Sequence, residues 1–287
     1  MAFPDASTRL VTLLGHPVEH SLSPRMHNAA FRHLGLNLVY LATDVRPADL
    51  LAAVEGLRAM GLRGANVTLP HKETIRPLLD ACSDRARAVG AVNTVVCVDT
   101  EAGARTLHGD NTDVAGFLAP LAPFADRLHG TDQLIFGAGG AARAAAYALL
   151  TTYQPSVLTL AVRTPARAEA LARDLAPFDA RGALRVVALA EAEAAVATSR
   201  LLVNATPLGM HPHVEGTPWA RQASFHRAQV VYDLVYAPQH TRLLREAGAR
   251  GATTVGGLGM LIGQAAAAFT AWTGHPFPLE VVRQALG

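Results

Sequence analysis

Hydrophobic and polar positions follow two rhythms along the first 112 residues of this 287-residue chain. Short apolar runs read as strands: LVTLLG (10–15), which ends in Gly, NLVYLATDV (37–45), GANVTLP (64–70), which is closed by Pro, and AVNTVVCV (91–98). Between them lie stretches with apolar residues every three or four positions. SLSPRMHNAAFRHLG (21–35) has Ser23 placed to cap a helix, Pro24 at its first position and Gly35 just past its end. PADLLAAVEGLRAMG (47–61) puts Leu50, Val54 and Leu57 on one face and stops at Gly61. After residue 98 the chain turns through Asp99 to Gly103 and returns towards Gly109. Strand and helix in alternation predict an α/β layer structure for this part.

A second unit starts near TDVAGF (112–117). The strand QLIFG (133–137) runs straight into GAGGAARAAAYALL (137–150), an Ala-rich helix. SVLTLAV, a helix from Pro165, and the apolar runs LRVVAL, RLLVNAT and QVVYDLVY follow, and LIGQAAAAFTAW (261–272) is a last helix after GGLG. Strand–helix–strand repeated in this way predicts a doubly wound, Rossmann-like parallel sheet. The fold class expected is therefore α/β, in two domains.

Composition narrows the function classes. Half of the residues are apolar and 17% are charged, enough to bury sizeable cores. The net charge is +2 with the basic residues scattered, which gives no electrostatic footprint for nucleic acid or an anionic membrane surface. No secretory leader and no apolar run of membrane-spanning length is evident, so a cytoplasmic location is expected. Cys82 and Cys97 form no CxxC and read as free thiols. His211-Pro-His213 lies in a Pro/Gly loop with no supporting acid, and no metal site is expected there.

The glycine loop carries the first chemical signal. Gly137, Ala138, Gly139, Gly140 and Ala141 link a strand to a helix. Gly137 permits a tight turn, Gly139 lets the backbone approach a pyrophosphate, and the helix start offers amide donors. The end of the following strand, where an NAD-binding chain would place an acid, reads AVRTPAR. Arg163 and Arg167 beside Thr164 suit a 2′-phosphate dianion, so the expected cofactor is NADP. Arg163, Thr164 and Pro165 would equally serve as an ordinary solvated helix start.

The other signal is a single residue. Lys72, in ANVTLPHKE, is the one lysine among the 25 Lys plus Arg. A composition that favours arginine wherever either cation serves has kept lysine here. Lysine is compact and able to give up its proton, whereas arginine is forked and permanently charged. Ser21, Ser23, Asn66, Thr68, Asn93, Thr112 and Asp113 also fall where strands or loops end, the usual place for ligands in such folds. Taken singly, each reads as readily as a cap or a loop pin.

Taken together, the segments GHPVEHSLSPRMHN, GANVTLPHKE, GAVNT, GDNTD, GAGGAAR, NATPLGM, YDLVY and GGLGMLIGQAA, in this order, resemble the signature segments of the shikimate dehydrogenase family from about residue 12 to about 280. The resemblance implies an NADP-dependent oxidoreductase of aromatic amino-acid synthesis that interconverts shikimate and 3-dehydroshikimate. It implies a substrate-binding domain of residues 1–112 plus 258–287 and an NADP-binding domain of residues 113–257. It implies that Ser21 and Ser23 hold the substrate carboxylate, that Thr68 and Lys72 face the substrate, and that Asn93, Asp113 and Gln264 bond the ring hydroxyls. Tyr236 matches a substrate-side tyrosine. Leu234 and Gly257 match positions lining the nicotinamide, and Arg163, Thr164 and Arg167 match a cofactor clamp. The family commonly has Asn before that first arginine, where this chain has Val162.

Lys72 and Asp113 are the implied proton-transfer pair, with either Lys72 as the base and Asp113 orienting it, or a charged Lys72 stabilising developing alkoxide. A small-molecule substrate and a monomer or homodimer are expected. Two other readings stay open on the sequence: a paralogue acting on quinate or an amino-shikimate, and a non-catalytic NADP-binding sensor.

Overall fold

The computed structural model describes residues 4–101 and 103–286. It divides into two compact units, Met1–Thr112 with Gln264–Gly287, and Asp113–Gly263.

The first unit is built on a six-stranded mixed sheet. Its strands are β1 (Arg9–Gly15), β2 (Leu38–Asp44), β3 (Gly64–Val67), β4 (Ala81–Cys82), β5 (Thr94–Asp99) and β6 (Arg105–Asp110), in the order β2-β1-β3-β5-β6-β4. β1 runs parallel to both β2 and β3, whereas β5 is antiparallel to β3 and β6. The apolar face of the helix Leu50–Ala59 buries Leu50, Val54 and Leu57, as the spacing predicts, in a core with Leu14, Val67, Val95 and Leu107. Burying such side chains is worth roughly 1.5–3 kcal/mol each before chain entropy is counted.

Two expected strands are shorter than their apolar runs. The first stops at Val67, because the chain then turns through Thr68 and a cis Leu69–Pro70 bond. The second starts only at Thr94, because the Val92 amide bonds the Lys72 carbonyl (2.7 Å) rather than a strand partner. The helix Ser23–His33 has Leu22 at its N-cap position and no side-chain cap. Ser23 is thus not the cap. It is the first helical residue, and its amide donates to Ser21 Oγ (3.2 Å).

The second unit holds six strands, β7 (Gln133–Phe136), β8 (Leu158–Val162), β9 (Leu184–Ala188), β10 (Leu201–Asn204), β11 (Val230–Asp233) and β12 (Thr253–Gly256). All pair in parallel, in the order β12-β11-β10-β7-β8-β9. Chain order runs outward in both directions from the β7/β10 pair, so the switch point lies at the carboxyl ends of these two strands. Leu134, Phe136, Leu202 and Val231 bury one face of this sheet with Trp219, Phe225 and Leu243. The strand β12 and the helix Arg242–Ala249, capped by the Thr241 hydroxyl, have no counterpart in the sequence expectation. The helix Leu258–Thr273 begins in this unit and ends in the first, the division falling after Gly263.

Candidate functional site

The candidate residues form two sets, one in each unit. In the first unit they gather at the carboxyl ends of β1 and β3 and around the start of β5. Thr68 follows β3 and donates its amide to the Leu14 carbonyl (2.9 Å), which ties the loop bearing Lys72 to the end of β1. The buried His71 ring bonds the Val45 carbonyl (2.6 Å), and the Lys72 carbonyl accepts from Val92. The loop is therefore held on both sides of Lys72 through its backbone and its neighbour, and Lys72 itself is half-buried.

Asn93 is buried and engaged at both ends. Its Oδ1 accepts from the Thr112 amide (2.7 Å) and hydroxyl (3.1 Å), and its Nδ2 points to Gln264 Oε1 (3.5 Å). Gln264 reaches this place on the helix Leu258–Thr273, whose Trp272 indole N–H donates to the Val95 carbonyl (2.9 Å). Asn93 and Gln264, far apart in sequence, are thus neighbours, as the resemblance implies.

Ser21 and Ser23 sit together at the start of the helix Ser23–His33, Ser21 half-buried and Ser23 buried. Beside them is a residue the sequence reading did not single out. The fully buried Tyr40 phenol donates to Asn66 Oδ1 (2.8 Å), with the Ser23 side chain beside it. Burial drives its ionisation far above the ordinary tyrosine range, with the Ser23 side chain opposing. Tyr40 therefore stays neutral and holds the Asn66 side chain near the end of β3. Asn66 in turn donates to the Asn93 carbonyl (3.1 Å).

In the second unit Asp113 opens the helix Asp113–Leu118 and is buried. The glycine loop follows β7. Gly137 has φ +114°, where side chains are strained, and a Cβ there would also sit 3.1 Å from the Ala205 carbonyl oxygen. Gly139 occupies the N-cap position of the helix Gly140–Ala148, and nothing lies within 4 Å of where its Cβ would point. The open space over Gly139, the first-turn amides and the positive end of the helix suit a pyrophosphate. Among the described residues the chain itself does not fill that space.

At the end of β8, Val162 is buried while Arg163, Thr164 and Arg167 are exposed. Thr164 holds the N-cap position of the helix Pro165–Leu175, but its hydroxyl makes no cap bond. The ordinary helix-start reading of this segment thus leaves the hydroxyl unused. One strand out from the switch point, Leu234 and Tyr236 follow β11, and burial raises the Tyr236 phenol above its usual range. Gly257 lies against Leu234, and a Cβ on it would fall 2.3 Å from the Leu234 carbonyl oxygen, so only glycine fits.

A family model described as the shikimate dehydrogenase substrate binding domain matches residues 13–95, and one described as the shikimate 5'-dehydrogenase C-terminal domain matches residues 257–286. The chain is 59% identical, over 98% of its own length and 98% of the relative's, to the NADP(+) shikimate dehydrogenase of Salinibacter ruber. It is 51% identical to that of Moorella thermoacetica, over 98% of this chain and 95% of the relative.

The chain belongs to the shikimate dehydrogenase family.

Solved structures agree. A shikimate dehydrogenase in complex with NADP+ superposes with TM-score 0.90 at 39% identity, covering 99% of this chain and 96% of that one. The Thermus thermophilus enzyme in complex with NADP(H) and shikimate gives 0.83 at 40% identity, with 97% and 98% covered. Within the same fold, a quinate dehydrogenase from Corynebacterium glutamicum in complex with NAD gives 0.87 at 34% identity, over 97% of this chain and 98% of that one.

Proposed function

We propose that this chain is an NADP-dependent shikimate dehydrogenase, interconverting shikimate and 3-dehydroshikimate. The observation that carries the reading is its full-length likeness to enzymes so named, joined to the retention of its one lysine inside the ANVTLPHKE segment. In a chain that otherwise uses arginine, that lysine is the residue a proton transfer needs.

Ser21 and Ser23 hold the substrate carboxylate, with the Ser23 amide bonded to Ser21 Oγ. Asn93, Asp113 and Gln264 bond the ring hydroxyls and set which carbon faces the cofactor, while Thr68 and Tyr236 face the substrate. Residues 1–112 with the C-terminal helical segment from 258 form the substrate domain in this reading, and residues 113–257 the NADP domain. Gly137, Ala138, Gly139, Gly140 and Ala141 receive the pyrophosphate, and Arg163, Thr164 and Arg167 clamp the 2′-phosphate. Leu234 and Gly257 line the nicotinamide. The chemistry that nicotinamide supplies when bound is the acceptance of a hydride from the carbinol carbon, or its return to the ketone.

The protein's part is the proton. Oxidation strips the reacting hydroxyl of H⁺ as its carbon gives up hydride, so a group within hydrogen-bond reach must take that proton. Lys72 does so with Asp113 orienting it, or stays charged and stabilises the developing alkoxide while the proton passes along a chain. Both versions require a compact amine, neutral in the first and charged in the second, that the forked and permanently charged arginine cannot replace. A positioned acid–base group contributes about 10²–10⁴-fold to rate. Lys72→Ala is expected to lower kcat by that order while NADP⁺ affinity, read by calorimetric titration, is retained. Equal loss of turnover and of NADP⁺ binding would remove Lys72 from the chemistry.

A further inference from the structure

Resting on the reading above, we infer that Asp233 is a positioning residue for the reaction, fixing the loops that follow β10 and β11, the second of which carries the cofactor-side and substrate-side groups Leu234 and Tyr236.

Asp233 ends β11 opposite Asn204, the last residue of β10, and both are fully buried, as is Thr241. The Asp233 carboxyl accepts three neutral donors. Its Oδ1 takes Asn204 Nδ2 (2.8 Å) and the Val235 amide (3.0 Å), and its Oδ2 takes the Thr241 hydroxyl (2.6 Å). Asn204 extends the network into the other loop. Its Oδ1 accepts from the Thr206 amide (3.0 Å) and hydroxyl (2.7 Å), and its Nδ2 also donates to the Leu208 carbonyl (3.1 Å). The His211 amide then bonds the Ala237 carbonyl (3.0 Å), so residues 205–211 and 234–240 are tied to each other as well as to one carboxyl.

The consequence falls on the Leu234–Val235 peptide. The Leu234 amide bonds the Asn204 carbonyl (3.0 Å), the Val235 amide bonds Asp233, and the Leu234 carbonyl lies against Gly257. The amide of that peptide is thereby bonded and its carbonyl packed against Gly257, which holds the backbone from which the Leu234 and Tyr236 side chains leave. No cation pairs with Asp233 among the described residues, and burial lifts its carboxyl to about 6. A buried acid with neutral partners costs stability, so the gain it provides lies in the geometry of the loops rather than in the strength of the fold. Misplacement of a group by about 1 Å costs on the order of 10²-fold in rate.

Asp233→Ala, Asp233→Asn and Thr241→Val in the full chain test this, with shikimate and NADP⁺ turnover by the wild type establishing the underlying reading independently. Asp233→Ala is expected to lower kcat about 10- to 100-fold with KM for shikimate within about twofold. It should also speed amide exchange at Val235 in the ligand-free protein while β7 and β8 stay protected. Asp233→Asn, which keeps an acceptor for Val235 and Asn204, should recover most of both. Should Asp233→Ala fail to fold, Thr241→Val removes one donor only and should move kcat and Val235 exchange in the same direction by less. Unchanged kcat in a variant whose Val235 exchange has risen would overturn the inference. So would a kcat loss matched by the fraction of inactive enzyme on active-site titration, with Val235 exchange unmoved.

Discussion

His27 shows how a residue can follow the family segment and still have no part in the chemistry. It is fully buried, stacks on Tyr40 at 4.5 Å, and packs among Phe31, Phe269, Trp272 and Phe277. Neither ring nitrogen has a hydrogen-bond partner among the described residues. Burial pulls its ionisation down from 6.5 to about 3. The unfolded chain therefore binds a proton at His27 that the folded chain refuses. The stability this provides is complete above about pH 6.5 and is lost progressively as pH falls towards 3, on the order of a few kcal/mol in all. Asp233 acts in the opposite sense. Its raised folded value, about 6, means the folded chain binds the proton more readily between the usual 3.8 and 6, so its contribution grows as pH falls through that window. His27→Leu, close in volume and without the orphan nitrogens, should gain on the wild type in urea unfolding as the buffer is taken from pH 7.5 to 5. A constant difference between the two at all pH values would contradict the assignment. At the same scale, Asp113→Asn should lower turnover comparably to Lys72→Ala, and near-normal rates would take Asp113 out of the mechanism.

At the scale of the element, the proposed function divides the cofactor between the two loops that follow β7 and β8. The turn after β7 depends on backbone conformation. Alanine at Gly137 would hold φ +114° only under strain while pressing towards the Ala205 carbonyl. Gly137→Ala is expected to cost about 1–3 kcal/mol of stability and to weaken NADP⁺ binding; unfolding and titration curves matching the wild type would contradict this. The end of β8 depends on charge. Arg163→Glu, which supplies an acid of the kind an NAD site uses, should lower the preference for NADP⁺ over NAD⁺ by about 100-fold, as two charge-assisted bonds of roughly 1.5 kcal/mol would. An unchanged preference would place the 2′-phosphate elsewhere.

Much of this scale was legible in the sequence. The GAGGAA turn announced itself by its strand and its glycines, and the RTPAR segment by the missing acid. The early end of the strand at Val67 and the late start at Thr94 were not legible, because both depend on which backbone group pairs with which across the chain. Asn204, Asp233, Thr241 and Tyr40 were missed for a related reason. NATPLGM and YDLVY stand out as segments, but a network joining a strand end to a threonine eight residues on, or a strand tyrosine to an asparagine two strands away, appears only once the strands are in register.

The whole molecule consists of two compact units, the chain passing from one to the other after Thr112 and after Gly263, and each unit holds its own set of candidate residues. No helix among the described residues is long and apolar enough to cross a membrane. The pattern of apolar runs foretold the parallel sheet of the second unit well, because a doubly wound sheet is built from repeated local units. It foretold the first sheet less well, since two of its pairings are antiparallel and one strand is the pair Ala81–Cys82. The central claim concerns the chain as a whole, that it oxidises shikimate with NADP⁺. It is tested most directly by following nicotinamide reduction at equal enzyme concentration with shikimate or quinate, each with NADP⁺ or NAD⁺. The account predicts turnover confined largely to shikimate with NADP⁺. Preference for quinate or for NAD⁺ would contradict the assignment of substrate or cofactor while keeping the fold, and no turnover in any pairing, with NADP⁺ still bound, would contradict the claim that this chain is a shikimate dehydrogenase.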